Sequence, residues 1–145
     1  MAGPEGTPVL VEEAPPSLAF IAGHEALPAL SAWTDAVLER LALPARTDYA
    51  LRLCIEEMVA NLLLHALRPE RPVQVRLTIL AAPLRLLIED DAAAFDPTAQ
   101  PEPEPASDLD HAAIGGRGLP LVRRFSLGLR YTRDSGWNRV EIRLA

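Results

Sequence analysis

Residues 56–66, Glu56-Glu57-Met58-Val59-Ala60-Asn61-Leu62-Leu63-Leu64-His65-Ala66, set three polar side chains into a helical run that is otherwise apolar. At about 100° per residue, Glu57, Asn61 and His65 fall at i, i+4 and i+8 and climb one edge of the helix in successive turns. Leu51, Ile55, Met58 and Leu62 mark the centre of the apolar stripe that this ladder borders. Glu56 points the other way, four residues after Arg52, and an ordinary surface pair accounts for it. A polar group inside an apolar helix costs free energy without a partner. Beside a bound phosphate, an Asn oxygen ligates magnesium and a Glu one turn earlier orients or deprotonates a hydroxyl. The plain alternative is that Asn61 and His65 are satisfied core polar groups and Glu57 is a half-exposed helix residue.

Working outward, the same helix is expected from a Thr47 or Asp48 cap to about Leu67, ahead of Pro69. Before it, Leu30, Trp33, Val37, Leu38 and Leu41 recur at helical spacing from about Leu27 to Leu43, with Pro28 in the first turn. Leu18, Phe20 and Ile21 suggest a short first strand over 17–22, and residues 1–16 read as a loose, flexible leader. After it the period changes to two. Val73, Val75, Leu77 and Ile79 alternate with polar residues, and Leu84, Leu86 and Ile88 alternate again up to Glu89-Asp90-Asp91. Two runs this close form an antiparallel hairpin whose second strand ends in carboxylates.

Residues 92–114 hold four prolines and five acids, with Phe95 almost the only large apolar side chain. Gly115-Gly116-Arg117-Gly118 follows and opens a third helix through Leu119, Leu121, Val122 and Phe125. Glycines entering a helix expose backbone N–H groups that suit anions, though such an entry is also often just a loop. A second hairpin closes the chain, with Leu127, Leu129 and Tyr131 on one strand, a turn through Asp134-Ser135-Gly136, and Val140, Ile142 and Leu144 on the other. The element order is that of an α/β (α+β) two-layer sandwich, with helices on one face of a mixed, mainly antiparallel sheet.

With 145 residues the chain is one domain able to bury a substantial core. A single cysteine, Cys54, faces the apolar side of the central helix, which fits a reducing, cytoplasmic setting without disulfides. Net charge −6 and a pI near 5.0 argue against direct nucleic-acid binding, and no apolar run of membrane-spanning length is present. No His, Cys and acid set has zinc spacing, and no serine or cysteine nucleophile motif appears. Asp90 at a strand end is able to accept a hydrogen bond from an exocyclic amine, or is a solvated terminus. His65 contacts a phosphate or bonds a backbone carbonyl. Trp33 and Trp137 read as packing, and Arg123 and Arg124 as solvated surface or partner contacts.

Taken together, Glu57 with Asn61, Asp90 followed by Phe95-Asp96-Pro97, and Gly115-Gly116-Arg117-Gly118 resemble the GHKL-type (Bergerat-type) ATP-binding fold of gyrase-type topoisomerases, heat-shock chaperones, histidine kinases and mismatch-repair proteins. The short single-domain form is similar to the anti-sigma-factor serine/threonine kinases of bacterial partner-switching systems. The likeness runs from about Leu18 to the C-terminus. It extends to the closing hairpin, with Tyr131 before the turn and Asn138-Arg139-Val140 after it.

The resemblance implies ATP and Mg2+ as cofactors. It assigns Asn61 to magnesium, Glu57 to the general base, and Asp90 to adenine. His65, Phe95, Gly115, Gly116, Arg117 and Gly118 are assigned to the nucleotide, with 92–114 as an ATP lid. It implies an anti-sigma-factor antagonist protein as phosphoacceptor, a sigma factor or other regulatory target as second partner, and a possible homodimer. The first glycine box departs from the family: Asp90-Asp91-Ala92-Ala93-Ala94 has alanine at both glycine positions. If those positions need positive φ, alanine costs roughly 1 kcal/mol or more. A non-catalytic sequestration module of the same fold is the alternative, and an orphan histidine-kinase catalytic domain a weaker third reading.

Overall fold

The structure is a computed structural model that describes residues 14–66, 70–99 and 118–145. Gly115, Gly116 and Arg117, most of the leader, and the lid beyond residue 99 lie outside the described residues. The elements are β1 (Ser17–Ile21), α1 (Leu27–Leu41), α2 (Ala45–His65), β2 (Gln74–Ala81), β3 (Leu84–Asp90), α3 (Gly118–Phe125), β4 (Gly128–Asp134) and β5 (Trp137–Arg143). Short 3-10 turns at His24–Ala26 and Pro97–Ala99 complete them.

The strands form one sheet in the order β1-β2-β3-β5-β4, and all four pairings are antiparallel. Among the described residues the sheet is therefore antiparallel throughout rather than mixed. Alternation along each strand sorts its side chains between the two faces. The register lines up Leu18, Leu77, Ile88, Val140 and Tyr131 as one row, and Ile79, Leu86, Ile142 and Leu129 as the next. Both rows belong to the continuous apolar core, which they share with Leu30, Val37 and Leu38 of α1, Leu51, Ile55, Met58 and Leu62 of α2, and Val122 of α3. Arg76, Arg130, Arg139 and Arg143 alternate with these positions and are exposed. Each hairpin turns through two residues: Ala82-Pro83, with a cis peptide bond, and Ser135-Gly136, where φ of 51° and 83° make a left-handed pair. Leu127, grouped with β4 by alternation, instead precedes the strand and is 61% exposed.

Helix ends differ from their sequence expectation for local reasons. The left-handed Ala42 stops α1 after Leu41, its N–H returning to the Leu38 carbonyl at 3.2 Å. No side-chain cap starts α2: Pro44 is extended (φ −53°, ψ 145°) and accepts from Asp48 N–H at 2.9 Å, so Thr47 and Asp48 lie inside the first turn. Arg52 of α2 pairs with Asp35 of α1 at 2.6 Å rather than with Glu56. Tyr49 meets Phe125 of α3 edge-on at 5.5 Å. Apolar on more than one side, α2 packs against α1, α3 and the sheet, while Tyr49 and Leu64 remain exposed. No described helix is long and apolar enough to cross a membrane.

Candidate nucleotide site

The two apolar rows of the sheet give way to a third that changes character partway across. Register and alternation align Phe20, Val75, Asp90, Asn138 and Arg133 at the end of the sheet nearest the C-terminal turns of α2. On β3 the inward set Leu84, Leu86, Ile88 ends in Asp90, and on β5 the inward set Ile142, Val140 ends in Asn138. The helix layer therefore meets an apolar wall that becomes polar at one end. There a cavity of about 110 Å³ opens, lined among others by Asn61 and His65 of α2, Asp90, Phe95, Asn138 and Val140.

Asn61 is only 8% exposed. It lines this cavity, and its amide makes no hydrogen bond among the described residues. An amide nearly withdrawn from water and without a protein partner suits a polar ligand or a cation. No group of three or more His, Cys, Asp and Glu side chains among the described residues is placed to hold a metal. A cation here would draw on the Asn61 oxygen together with phosphate and water oxygens, a donor set that fits magnesium. His65, one turn on, is exposed and stacks on Phe95, with ring centroids 5.4 Å apart and planes 15° from parallel.

Asp90 is held from two directions. Its Oδ1 accepts from Asn138 Nδ2 at 2.9 Å and from the Ala92 N–H at 3.1 Å. Burial pushes the Asp90 carboxyl above its ordinary value. The Asn138 and Ala92 bonds oppose the rise, the neighbouring Asp91 adds to it and Arg133 subtracts from it. Sequence reasoning left Asn138 without a role, although it is 3% exposed. Extending the Val140, Ile142, Leu144 alternation back by two residues finds it.

The segment after β3 runs through Ala92, Ala93 and Ala94 where the family pattern has glycines, and none of the three takes positive φ. Alanine is therefore accommodated there without left-handed backbone. Asp96 then closes a tight turn, its Oδ1 accepting from Thr98 N–H at 2.8 Å and Thr98 Oγ1 at 2.6 Å. Arg123 of α3 donates to the Thr98 carbonyl at 3.0 Å. It joins α3 to this turn and is not the solvated surface residue expected. Gly118 is the first residue of α3.

Glu57 is half-buried but lines a different depression, the groove between α1 and α2, with Leu27, Leu30, Thr34, Glu56 and Leu64. At about 620 Å³ the groove is larger than the cavity. The convergent polar groups are in the smaller one, which is the better candidate for a nucleotide base. The structure thus brings together Asn61, His65, Asp90 and Phe95. It sets Glu57 one helical turn away on the neighbouring groove.

Comparison with known proteins agrees with this architecture. The histidine kinase-like ATPase domain matches residues 20–144, nearly the whole chain. Over 117 residues the chain is 39% identical to the serine/threonine-protein kinase BtrW of Bordetella bronchiseptica, an overlap covering 75% of this chain and 82% of that protein.

Proposed function

Because the chain belongs to the histidine kinase-like ATPase domain family, we propose that it is an ATP- and magnesium-dependent protein serine/threonine kinase that phosphorylates a small antagonist protein and sequesters a sigma factor or comparable regulator. The observation that carries this reading is the nearly buried Asn61 amide, without a partner among the described residues, opening into the cavity that Asp90 lines. Similarity to a protein named as a serine/threonine kinase supports the reaction class.

In this reading Asp90 accepts a hydrogen bond from the exocyclic amine of adenine through Oδ2, since Oδ1 is already taken. Apolar Met58, Ile88 and Val140 exclude water around the base. Asn61 presents its oxygen toward the phosphates and holds magnesium, which when bound neutralises phosphate charge. Gly118 and the first turn of α3 offer backbone N–H donors to the phosphates; Gly115, Gly116 and Arg117, assigned to the nucleotide by the resemblance, lie outside the described residues. Glu57 takes the proton of the acceptor hydroxyl as the serine or threonine oxygen bonds to the γ-phosphorus and the bond to ADP breaks. The acceptor then approaches from the α1–α2 groove, where Glu57 stands.

A second reading, sequestration without phosphoryl transfer, draws on the placement of Glu57 off the cavity itself. Two measurements separate them. Calorimetric titration with ATP, with and without magnesium, is expected to give magnesium-dependent binding that Asn61→Ala removes; absence of binding at millimolar ATP sinks the nucleotide reading. Label from γ-phosphate should then appear on a cognate antagonist with the wild-type chain and not with Glu57→Ala. A Glu57→Ala chain that regulates its target normally in cells supports sequestration alone.

A further inference from the structure

Asn138 has all of its hydrogen-bonding capacity engaged by protein. Its Nδ2 donates to Asp90 Oδ1 at 2.9 Å and to the Ala93 carbonyl at 3.0 Å, with the Ala92 carbonyl at 3.4 Å. Its Oδ1 accepts from Tyr131 Oη at 2.6 Å and Arg133 Nη1 at 2.8 Å. An Asn amide has two N–H donors and one oxygen with two lone pairs, so no capacity is left for a ligand. Arg133 adds a second bond, to the Ala92 carbonyl at 3.2 Å. The β4–β5 hairpin therefore grips both the Asp90 carboxylate and the backbone of the alanine segment that follows it.

From this geometry we propose that Asn138, backed by Tyr131 and Arg133, is the positioning residue that holds Asp90 and the Ala92-Ala93 backbone in the conformation that receives adenine. The inference rests on the nucleotide reading above and deepens it. Asn138 acts through Asp90 and does not touch the base. Two bonds to Oδ1 fix the rotation of the carboxylate and, among the described residues, leave Oδ2 as its open acceptor. The carbonyls of Ala92 and Ala93 are tied to a side chain, so this segment is set by the hairpin rather than by the backbone freedom of glycine.

The test is fluorescence titration of the full chain with an ATP analogue labelled on the ribose, competed with ATP or GTP, at pH 8 and pH 6. Asn138→Asp keeps the shape but replaces a donor by a carboxylate facing Asp90. At pH 8 the two carboxylates repel, and affinity should fall about tenfold, the factor that corresponds to the loss of one charge-linked hydrogen bond. At pH 6 a proton shared between them restores an O–H donor to Asp90, and the ratio of variant to wild-type dissociation constants should shrink several-fold. Among the described residues, the charged or titratable groups around Asp90 are Asp91 beside it with its partner Arg71, Arg133 and Tyr131 on β4, and His65 on α2. Asp91, Arg71 and His65 are common to both proteins and drop out of that ratio, whereas Arg133 and Tyr131 bond residue 138 and favour its ionised form, which sets how far the ratio shrinks.

GTP, which has no exocyclic amine at the corresponding ring position, should lose little, so selectivity for ATP falls with Asn138→Asp. Arg133→Met, at an exposed position, leaves the core intact and should weaken ATP about two- to threefold; it decides the matter if Asn138→Asp does not fold. Unchanged ATP affinity in both variants overturns the proposal. So does an Asn138→Asp loss that is equal for ATP and GTP and independent of pH, which would mark a purely structural role. Failure of the wild-type chain to bind either nucleotide overturns the nucleotide reading and this proposal with it.

Discussion

The Asp90 carboxyl has the direction of its titration set by burial, and the sign of two measurable effects follows. Its raised value means that the ionised form is less favourable in the folded chain than in the unfolded one. The folded state therefore binds the extra proton between the unfolded and folded values. The Asp90 contribution favours folding below that window and declines as pH rises through it. Under the proposed nucleotide reading, adenine recognition runs the other way, because accepting from an amine requires the carboxylate. ATP affinity is expected to fall as pH is lowered through the raised Asp90 value, earlier than for an ordinary aspartate. Titration of wild-type against Asp90→Asn, which should bind ATP weakly at every pH, checks this. Asn61 and Asp90 stood out in the sequence because each is a polar residue in an apolar pattern. Asn138 did not, since an Asn beside a turn has an ordinary explanation in local hydrogen bonding. Its role depends on a partner 48 residues earlier.

Among the elements, α2 combines the core and the candidate site. Leu51 is fully buried between sheet and helices, so Leu51→Ala should cost about 3 kcal/mol in chemical denaturation. The end of α1 offers the opposite change. Ala42 is exposed at φ 47°, a conformation that disfavours residues with a Cβ, and Ala42→Gly should raise stability by about 0.5–1 kcal/mol in the same experiment. The three α-helices and the strands β2 to β5 were legible from periodicity, because each turns one face to the core and the period of its apolar residues reports it; β1, with no fully buried residue, gave a weaker signal and the short 3-10 turns gave none. The ends were less legible. Thr47 and Asp48 are good capping types, yet Pro44 starts α2 three residues sooner. Leu43 continues the apolar rhythm of α1, but Ala42 has already turned the chain. Arg123 looked like surface because nothing in its neighbours shows that the turn at Pro97–Ala99 lies across from it.

For the molecule as a whole, the lone thiol is a ready reporter. Cys54 has no exposed surface, and burial pushes its pKa up to about 12. Alkylation at pH 8 is expected to be slow in the folded chain and to follow global opening, so its rate should rise with denaturant and fall when ATP binds. Rapid modification in native buffer would contradict the burial. Topology also sets the order in which the parts meet. The hairpins β2–β3 and β4–β5 each close through two residues, whereas β3 joins β5 across a long stretch of chain. Loop-closure entropy favours the local pairs first and leaves this central seam until later. The Asp90–Asn138 bond crosses that seam. During synthesis on the ribosome, a nascent chain can therefore build its first hairpin and its two long helices and still lack the polar end of the cavity: the wall that holds Asp90 arrives only with β5.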